Sequence, residues 1–254
     1  MDIDPNKWIT GRVVGQKRWA DNLFSLQVDA DLPPFLPGQF NKLALPMLTD
    51  KGEELVARSY SYVNAPDERP HEFYYITVPG GPLTTRLQVL QAGDVIYLAN
   101  GAHGFLTLAE AAHKKHLWML STGTALGPFL SILKSGTAWE RYERIVLVHA
   151  VRTAAELTYG DSVRALLAAH PQLSFIPFVS REQHEGAMSG RVPQAIADGS
   201  LEARAGISFS PEDSAVMICG NPAMVKDTDK ALQARALKRH RRHSHGNFIV
   251  ENYW

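Results

Sequence analysis

Arg58-Ser59-Tyr60-Ser61-Tyr62 sets a fixed cation, two rings and two hydroxyls in strict alternation. Side chains on an extended strand alternate between faces, so Arg58, Tyr60 and Tyr62 share one face, and Ser59 and Ser61 the other. The first face combines an anion clamp with a stacking surface, which suits a planar cofactor that carries phosphate. The same alternation describes a barrel strand with ordinary surface polarity. The pentapeptide alone does not choose between them.

Around it, the first half of the chain is written in short strands, expected at 10–14, 23–28, 39–45, 59–63, 72–77 and 95–99. Pro33-Pro34, Pro37-Gly38, the segment 67–70 and Gly80-Gly81-Pro82 punctuate them as turns and loops. Six strands at this spacing predict a closed or nearly closed antiparallel barrel, with one helix over 84–90. The second half changes grammar. Apolar strands expected at 117–121, 145–150, 174–179 and 215–219 alternate with helices through about 133, from 154 toward 169, and from 224 onward. That alternation predicts a parallel sheet covered by helices on both faces. The expected order is a β-barrel domain over 1–110 and an α/β domain over 111–254, the boundary falling in the polar, histidine-bearing segment 110–116.

Two loops suit phosphates. Gly80-Gly81-Pro82-Leu83-Thr84-Thr85 lies between a strand and a short helix, where glycines permit a tight turn and Thr84 or Thr85 would cap the helix. A plain capped turn has the same sequence. Thr122-Gly123-Thr124-Ala125-Leu126-Gly127-Pro128 follows the first strand of the α/β half, at the end where open parallel sheets bind ligands. It has no Walker lysine, which disfavours an ATPase. Arg152, Arg181 and Arg191 stand at or beyond strand ends, where guanidinium forks suit a 2′-phosphate. Each is also an ordinary choice for a solvated surface.

Of 254 residues, 45% are apolar and 20% charged, which predicts a folded chain with a substantial core. Lysine and arginine number 26, as do aspartate and glutamate, so overall charge gives no argument for nucleic acid. Cys219 is the single cysteine. It excludes an internal disulfide, a cysteine-ligated iron–sulfur cluster and a cysteine-rich zinc site, and no metal is expected. Met1-Asp2-Ile3-Asp4-Pro5 does not read as a signal peptide, and no apolar run approaches a membrane span. A cytoplasmic protein without membrane insertion is the expectation.

Arg58-Ser59-Tyr60-Ser61 resembles the Arg-x-Tyr-Ser flavin motif of the ferredoxin–NADP reductase superfamily. Gly123-Thr124-Ala125-Leu126-Gly127-Pro128-Phe129 is similar to its pyridine-nucleotide loop, and Cys219-Gly220-Asn221-Pro222-Ala223-Met224 to its late nicotinamide-side motif. The order is right over nearly the whole chain, and the ending Tyr253-Trp254 resembles that of the bacterial ferredoxin/flavodoxin–NADP reductases. The resemblance implies noncovalent FAD on the barrel and NADPH as substrate. It implies that Arg58 contacts the FAD pyrophosphate, Tyr60 packs on the flavin, and Ser61 sits near its N5. Tyr62, Val63 and Asn64 would continue the contact strand, Ile76, Thr77 and Val78 would lie along the cofactor, and Leu83, Thr84 and Thr85 would meet its phosphates. Thr124 would approach the nicotinamide, and Arg152, Arg181 and Arg191 the adenosine 2′-phosphate. Cys219 would lie beside the nicotinamide path, Tyr253 over the flavin face, and Trp254 near the adenine. Glu251 is a weaker candidate for proton exchange with water.

The implied activity is exchange between a two-electron carrier and the one-electron carriers ferredoxin or flavodoxin, by a chain small enough to act as a monomer. The basic run Arg235, Lys238, Arg239, Arg241 and Arg242, with His240 and His243, is a candidate docking surface for such acidic partners. It also reads as a solvated helix end. A flavin reductase, an oxygenase's electron-transfer component and a nonenzymatic nucleotide sensor on the same scaffold stay open at this point.

Overall fold

The structure, a computed structural model, describes residues 3–50, 52–241 and 243–253. Among the described residues are two six-stranded sheets. The first holds β1 (Trp8–Ala20), β2 (Leu23–Asp29), β3 (Phe40–Thr49), β4 (Gly52–Ser61), β5 (His71–Ile76) and β6 (Val95–Ala99), with the one-turn helix α1 (Thr84–Leu87) between β5 and β6. Its order is β4-β3-β6-β1-β2-β5. Every pairing in it is antiparallel, and a bridge from Tyr62 to Phe73 draws the two edges together into a nearly closed barrel. Leu26, Val28, Leu43, Phe73, Leu87, Ile96 and Leu98 fill it at 0% exposure. All six expected strands are present. The expected helix ends at Leu87 rather than 90.

The second half holds β7 (His116–Thr122), α2 (Leu126–Lys134), α3 (Thr137–Arg141), β8 (Arg144–Val151), α4 (Gly160–Ala169), β9 (Leu173–Val179) and β10 (Met188–Ser189). It continues through α5 (Val192–Ala197), α6 (Ser200–Ala205), β11 (Ser214–Gly220), α7 (Pro222–Ala234) and β12 (Phe248–Asn252). The strands run parallel in the order β10-β9-β8-β7-β11-β12. Alternation sorts their side chains cleanly. Leu117, Met119, Ile145 and Leu147 face α2, α3 and α4, while Trp118, Leu120, Val146 and Val148 face α5, α6 and α7.

Three features depart from the sequence expectation. The helix expected from 154 is a short 3-10 turn at Ala154–Glu156, a break, and α4 from Gly160. The terminal segment, where no strand was expected, forms β12 beside β11. Finally, packing passes between the halves without a gap. Leu23, Val63 and Tyr74 of the barrel share one core cluster with Met119, Phe129, Leu147 and Met217. Leu106, Leu108 and Ala111, around the expected boundary, join the same cluster. Among the described residues, no helix is long and apolar enough to cross a membrane.

Candidate active site

The carboxyl ends of β7, β8, β9 and β11 open into a cleft of about 600 Å³, within the usual size of a small-molecule site. Leu23 and Ile76 of the barrel line one end, beside Tyr253; Arg152, Arg181 and Arg191 line the other. Between them lie the turn Thr122–Thr124 and the start of α7. The two loops are locked to each other. Gly220 has φ 142°, and a β-carbon there would stand 2.0 Å from Thr122 Oγ1. Only glycine permits this approach, which lets the Asn221 N–H donate to Thr122 Oγ1 at 2.9 Å. Asn221 Oδ1 in turn accepts from the Ala223 N–H and caps α7.

A residue that sequence reasoning missed holds the same turn from below. His149 of β8 is wholly buried, and burial lowers its pKa to about 4. The neutral ring donates its Nε2–H to the Gly123 carbonyl at 3.0 Å. Its Nδ1 has no partner among the described residues. A lone histidine within an apolar strand offers no pattern that announces this contact.

The three arginines come together as the strand-end reading expected. All are exposed, and the backbones that carry two of them are tied, the Arg181 N–H donating to the Arg152 carbonyl at 2.9 Å. Glu156 and Asp227 share the cleft wall and temper its positive charge. Thr124 lies on that wall as well.

At the barrel rim, the face shared by Arg58, Tyr60 and Tyr62 turns inward by degrees. Arg58 is exposed, its guanidinium donating to the Ala57 carbonyl at 2.7 Å. Tyr60 is half-buried, edge-on to Tyr75 at 5.9 Å, and burial raises its phenol to about 12. Tyr62 is fully enclosed, stacked on Phe35 with centroids 3.8 Å apart, and its oxygen accepts from Asn41. Val63 is equally enclosed, and Asn64 spends its amide on Ala65, Glu68 and Glu72. The side chains of Tyr62, Val63 and Asn64 therefore belong to the core, and what this strand could offer a cofactor there is its backbone. Alternation gives which residues share a face, not whether that face is wet.

The glycine turn needs a similar correction. Leu83, 2% exposed, occupies the N-cap of α1, so neither Thr84 nor Thr85 caps it. Thr84 Oγ1 instead accepts from the Val78 N–H at 3.1 Å, and the Thr85 hydroxyl donates to the Gly81 carbonyl at 3.0 Å. Ile76 and Thr77 stay half-buried and Val78 is 45% exposed, so these three do offer surface along the rim.

Ser61, Cys219, Glu251 and Tyr253 meet where the two sheets join. The hydroxyls of Tyr253 and Ser61 are hydrogen-bonded, and the Tyr253 N–H donates to the Gly220 carbonyl at 2.7 Å. Burial raises the Tyr253 phenol and the Cys219 thiol well above their ordinary values. Glu251 pairs in register with Cys219, and burial pushes its carboxyl up to about 7. Its Oε1 is buried with no partner among the described residues. The cluster therefore holds one carboxyl that burial raises to about 7, beside a tyrosine that lines the cleft. Trp254 lies outside the described residues.

The basic run is only partly free. Arg235 pairs with Glu202 at 2.9 Å, Arg239 with Asp229 at 3.1 Å and His240 with Glu110 at 3.5 Å. Lys238, Arg241 and His243 are exposed, and Arg242 lies outside the described residues.

A half-exposed ring beside an exposed guanidinium, and an unpartnered buried carboxyl oxygen nearby, fit a planar anionic cofactor on the rim. Comparison with known proteins agrees. An oxidoreductase NAD-binding domain family matches residues 119–230. A flavodoxin/ferredoxin–NADP reductase of Escherichia coli (strain K12) is 46% identical over 222 residues, which cover 87% of this chain and 88% of the relative. One from Buchnera aphidicola subsp. Baizongia pistaciae is 40% identical over 251 residues, covering 98% of this chain and 100% of the relative. A solved ferredoxin NADP+ reductase from Neisseria gonorrhoeae with bound FAD and NADP superposes with a TM-score of 0.90 at 30% identity, covering 97% of this chain and 98% of that one. With its barrel rim, its nucleotide cleft and relatives matched over almost their full length, the chain belongs to the flavodoxin/ferredoxin–NADP reductase family.

Proposed function

We propose that this chain moves electrons between NADPH and a ferredoxin or flavodoxin through FAD held on the barrel rim. The single observation that carries the reading is the cleft itself: one continuous wall runs from three arginines to Ile76 and Tyr253. When bound, FAD supplies the conversion between two-electron and one-electron carriers.

Arg58 binds the FAD pyrophosphate, Tyr60 packs on the ring system, and Ile76, Thr77 and Val78 line its length. Thr84 and Thr85 stiffen the glycine turn through Val78 and Gly81, and so shape the phosphate end rather than reach into it. Arg152, Arg181 and Arg191 take the 2′-phosphate of NADPH. Thr124 and the locked turn around it present backbone to the nicotinamide side. Tyr253, hydrogen-bonded to Ser61, would cover the flavin face that the nicotinamide must reach. Glu251 holds a proton up to about pH 7 and passes it to the interior of the site or to water.

Both ends of the cleft come from one chain, so a monomer suffices. The partner is a small acidic carrier, steered by the exposed Lys238, Arg241 and His243. A single buried thiol suits a reducing compartment, and we place the reaction in the cytoplasm. Anaerobic NADPH added to the yellow purified protein should bleach it, and ferredoxin or flavodoxin should then restore the colour. Failure to retain flavin after reconstitution would overturn the proposal.

A further inference from the structure

Tyr159 stands outside the cleft, yet its backbone is held at φ 57°, a left-handed conformation unfavourable to a residue with a β-carbon. It is 4% exposed and reaches from the α/β half into the barrel. There it packs between Trp19 of β1, with centroids 4.6 Å apart, and Tyr74 of β5, at 5.1 Å. Its hydroxyl completes a chain of bonds in which each donor has one acceptor. Trp19 Nε1–H donates to Ser25 Oγ at 2.6 Å, the Ser25 hydroxyl donates to the Tyr159 oxygen at 2.5 Å, and the Tyr159 hydroxyl donates to the Glu72 carboxylate at 2.6 Å. The neighbouring Thr158 hydroxyl donates to the Tyr74 oxygen at 2.8 Å. One side chain thus ties together three strands of the other half.

The connection that ends at Tyr159 begins at Arg152. The Arg152 N–H donates to Glu156 Oε2 at 2.9 Å, and the Ala154 N–H to Glu182 Oε1 at 2.6 Å. With the Arg181-to-Arg152 bond, the loops of Arg152 and Arg181 form one braced unit, and Tyr159 is where that unit meets the barrel. The strands it grips, β2 and β5, carry Leu23 and Ile76 at the opposite end of the cleft.

We propose that Tyr159 is a positioning residue that fixes the span between the 2′-phosphate arginines and the barrel rim, so that both ends of one NADPH engage together. This rests on the NADPH reading above. Reaction demands alignment within about an ångström, and a dinucleotide anchored only at its adenosine end loses that alignment.

Tyr159→Phe removes the hydroxyl and keeps the ring; Glu72→Gln removes the charged acceptor and serves if the first variant fails to fold. Calorimetry on the flavin-loaded protein would compare 2′-phosphoadenosine 5′-monophosphate with NADP+, alongside kcat with NADPH. The fragment should bind within about two-fold of the parent protein, while NADP+ affinity and kcat fall on the order of ten-fold. Unchanged NADP+ binding and turnover would overturn the proposal. So would equal losses for fragment and NADP+, because Tyr159 would then merely shape the arginine loops. A parent protein that neither holds flavin nor oxidises NADPH would instead remove the functional reading beneath it.

Discussion

Three arginines of the cleft stand in solvent on loops, while Tyr253 of the same cleft is joined to Ser61 and lies beside the buried Cys219 and its register partner Glu251. The exposed end offers charge on loops tied to one another through the Arg181 N–H and the Arg152 carbonyl, and the reading proposed above gives it the phosphate that NADH lacks. At the buried end, burial raises the titrations of Glu251, Cys219 and Tyr253. The two ends thus differ in exposure and in charge, which gives each its own way of being perturbed.

The largest expected effect is at the buried end. Because the folded pKa of Glu251 is raised, the fold favours its protonated form; that contribution is intact below about pH 4.5 and is lost as pH rises through about 7. Glu251→Gln should therefore be more stable than the parent at pH 8 by about 3 kcal/mol, and equal to it near pH 4.5. Denaturant midpoints across that range would test it. A difference that does not vary with pH would show that the carboxyl titrates normally.

At the exposed end, Arg152→Ala should raise the KM for NADPH on the order of ten- to a hundred-fold, the worth of a charge-assisted bond. The KM for NADH should not move. Equal changes for both cofactors in steady-state assays would sink the phosphate role. The smallest effect belongs to partner steering. Replacing Lys238 and Arg241 with glutamine should slow reduction of an acidic protein acceptor by roughly two- to five-fold at low salt, with the gap closing at high salt. Small-molecule acceptors should be unaffected. Protein-acceptor rates indifferent to both salt and substitution would remove these residues from the docking surface.

The barrel strands and four of the parallel strands were legible because period-two patterning and turn residues are local signals. The convergence of Arg152, Arg181 and Arg191 was legible too, since the ends of parallel strands must meet at one edge. What escaped depended on tertiary context. Phe248–Asn252 is only five residues, and its partners, β11 and Arg239, lie elsewhere in the chain, so no local pattern marks it as a strand. Tyr62 and Tyr60 obey the same alternation, yet one is sealed under Phe35 and the other reaches the rim. Thr84 carries the chemistry of a cap, but its hydroxyl finds the Val78 N–H instead. His149 and Tyr159 act through partners 26 and 134 residues away, at Gly123 and Ser25. No local pattern encodes such contacts.

The core cluster shared by Leu23, Val63 and Tyr74 with the α/β half bears on how the protein is made. During synthesis the barrel emerges first, with those apolar side chains still uncovered. They remain so until the segments bearing Met119, Phe129 and Met217 follow. The nascent barrel is then sticky for as long as the ribosome takes to deliver the rest, which makes it a natural client for chaperones. Once closed, the two halves should melt in one transition rather than two.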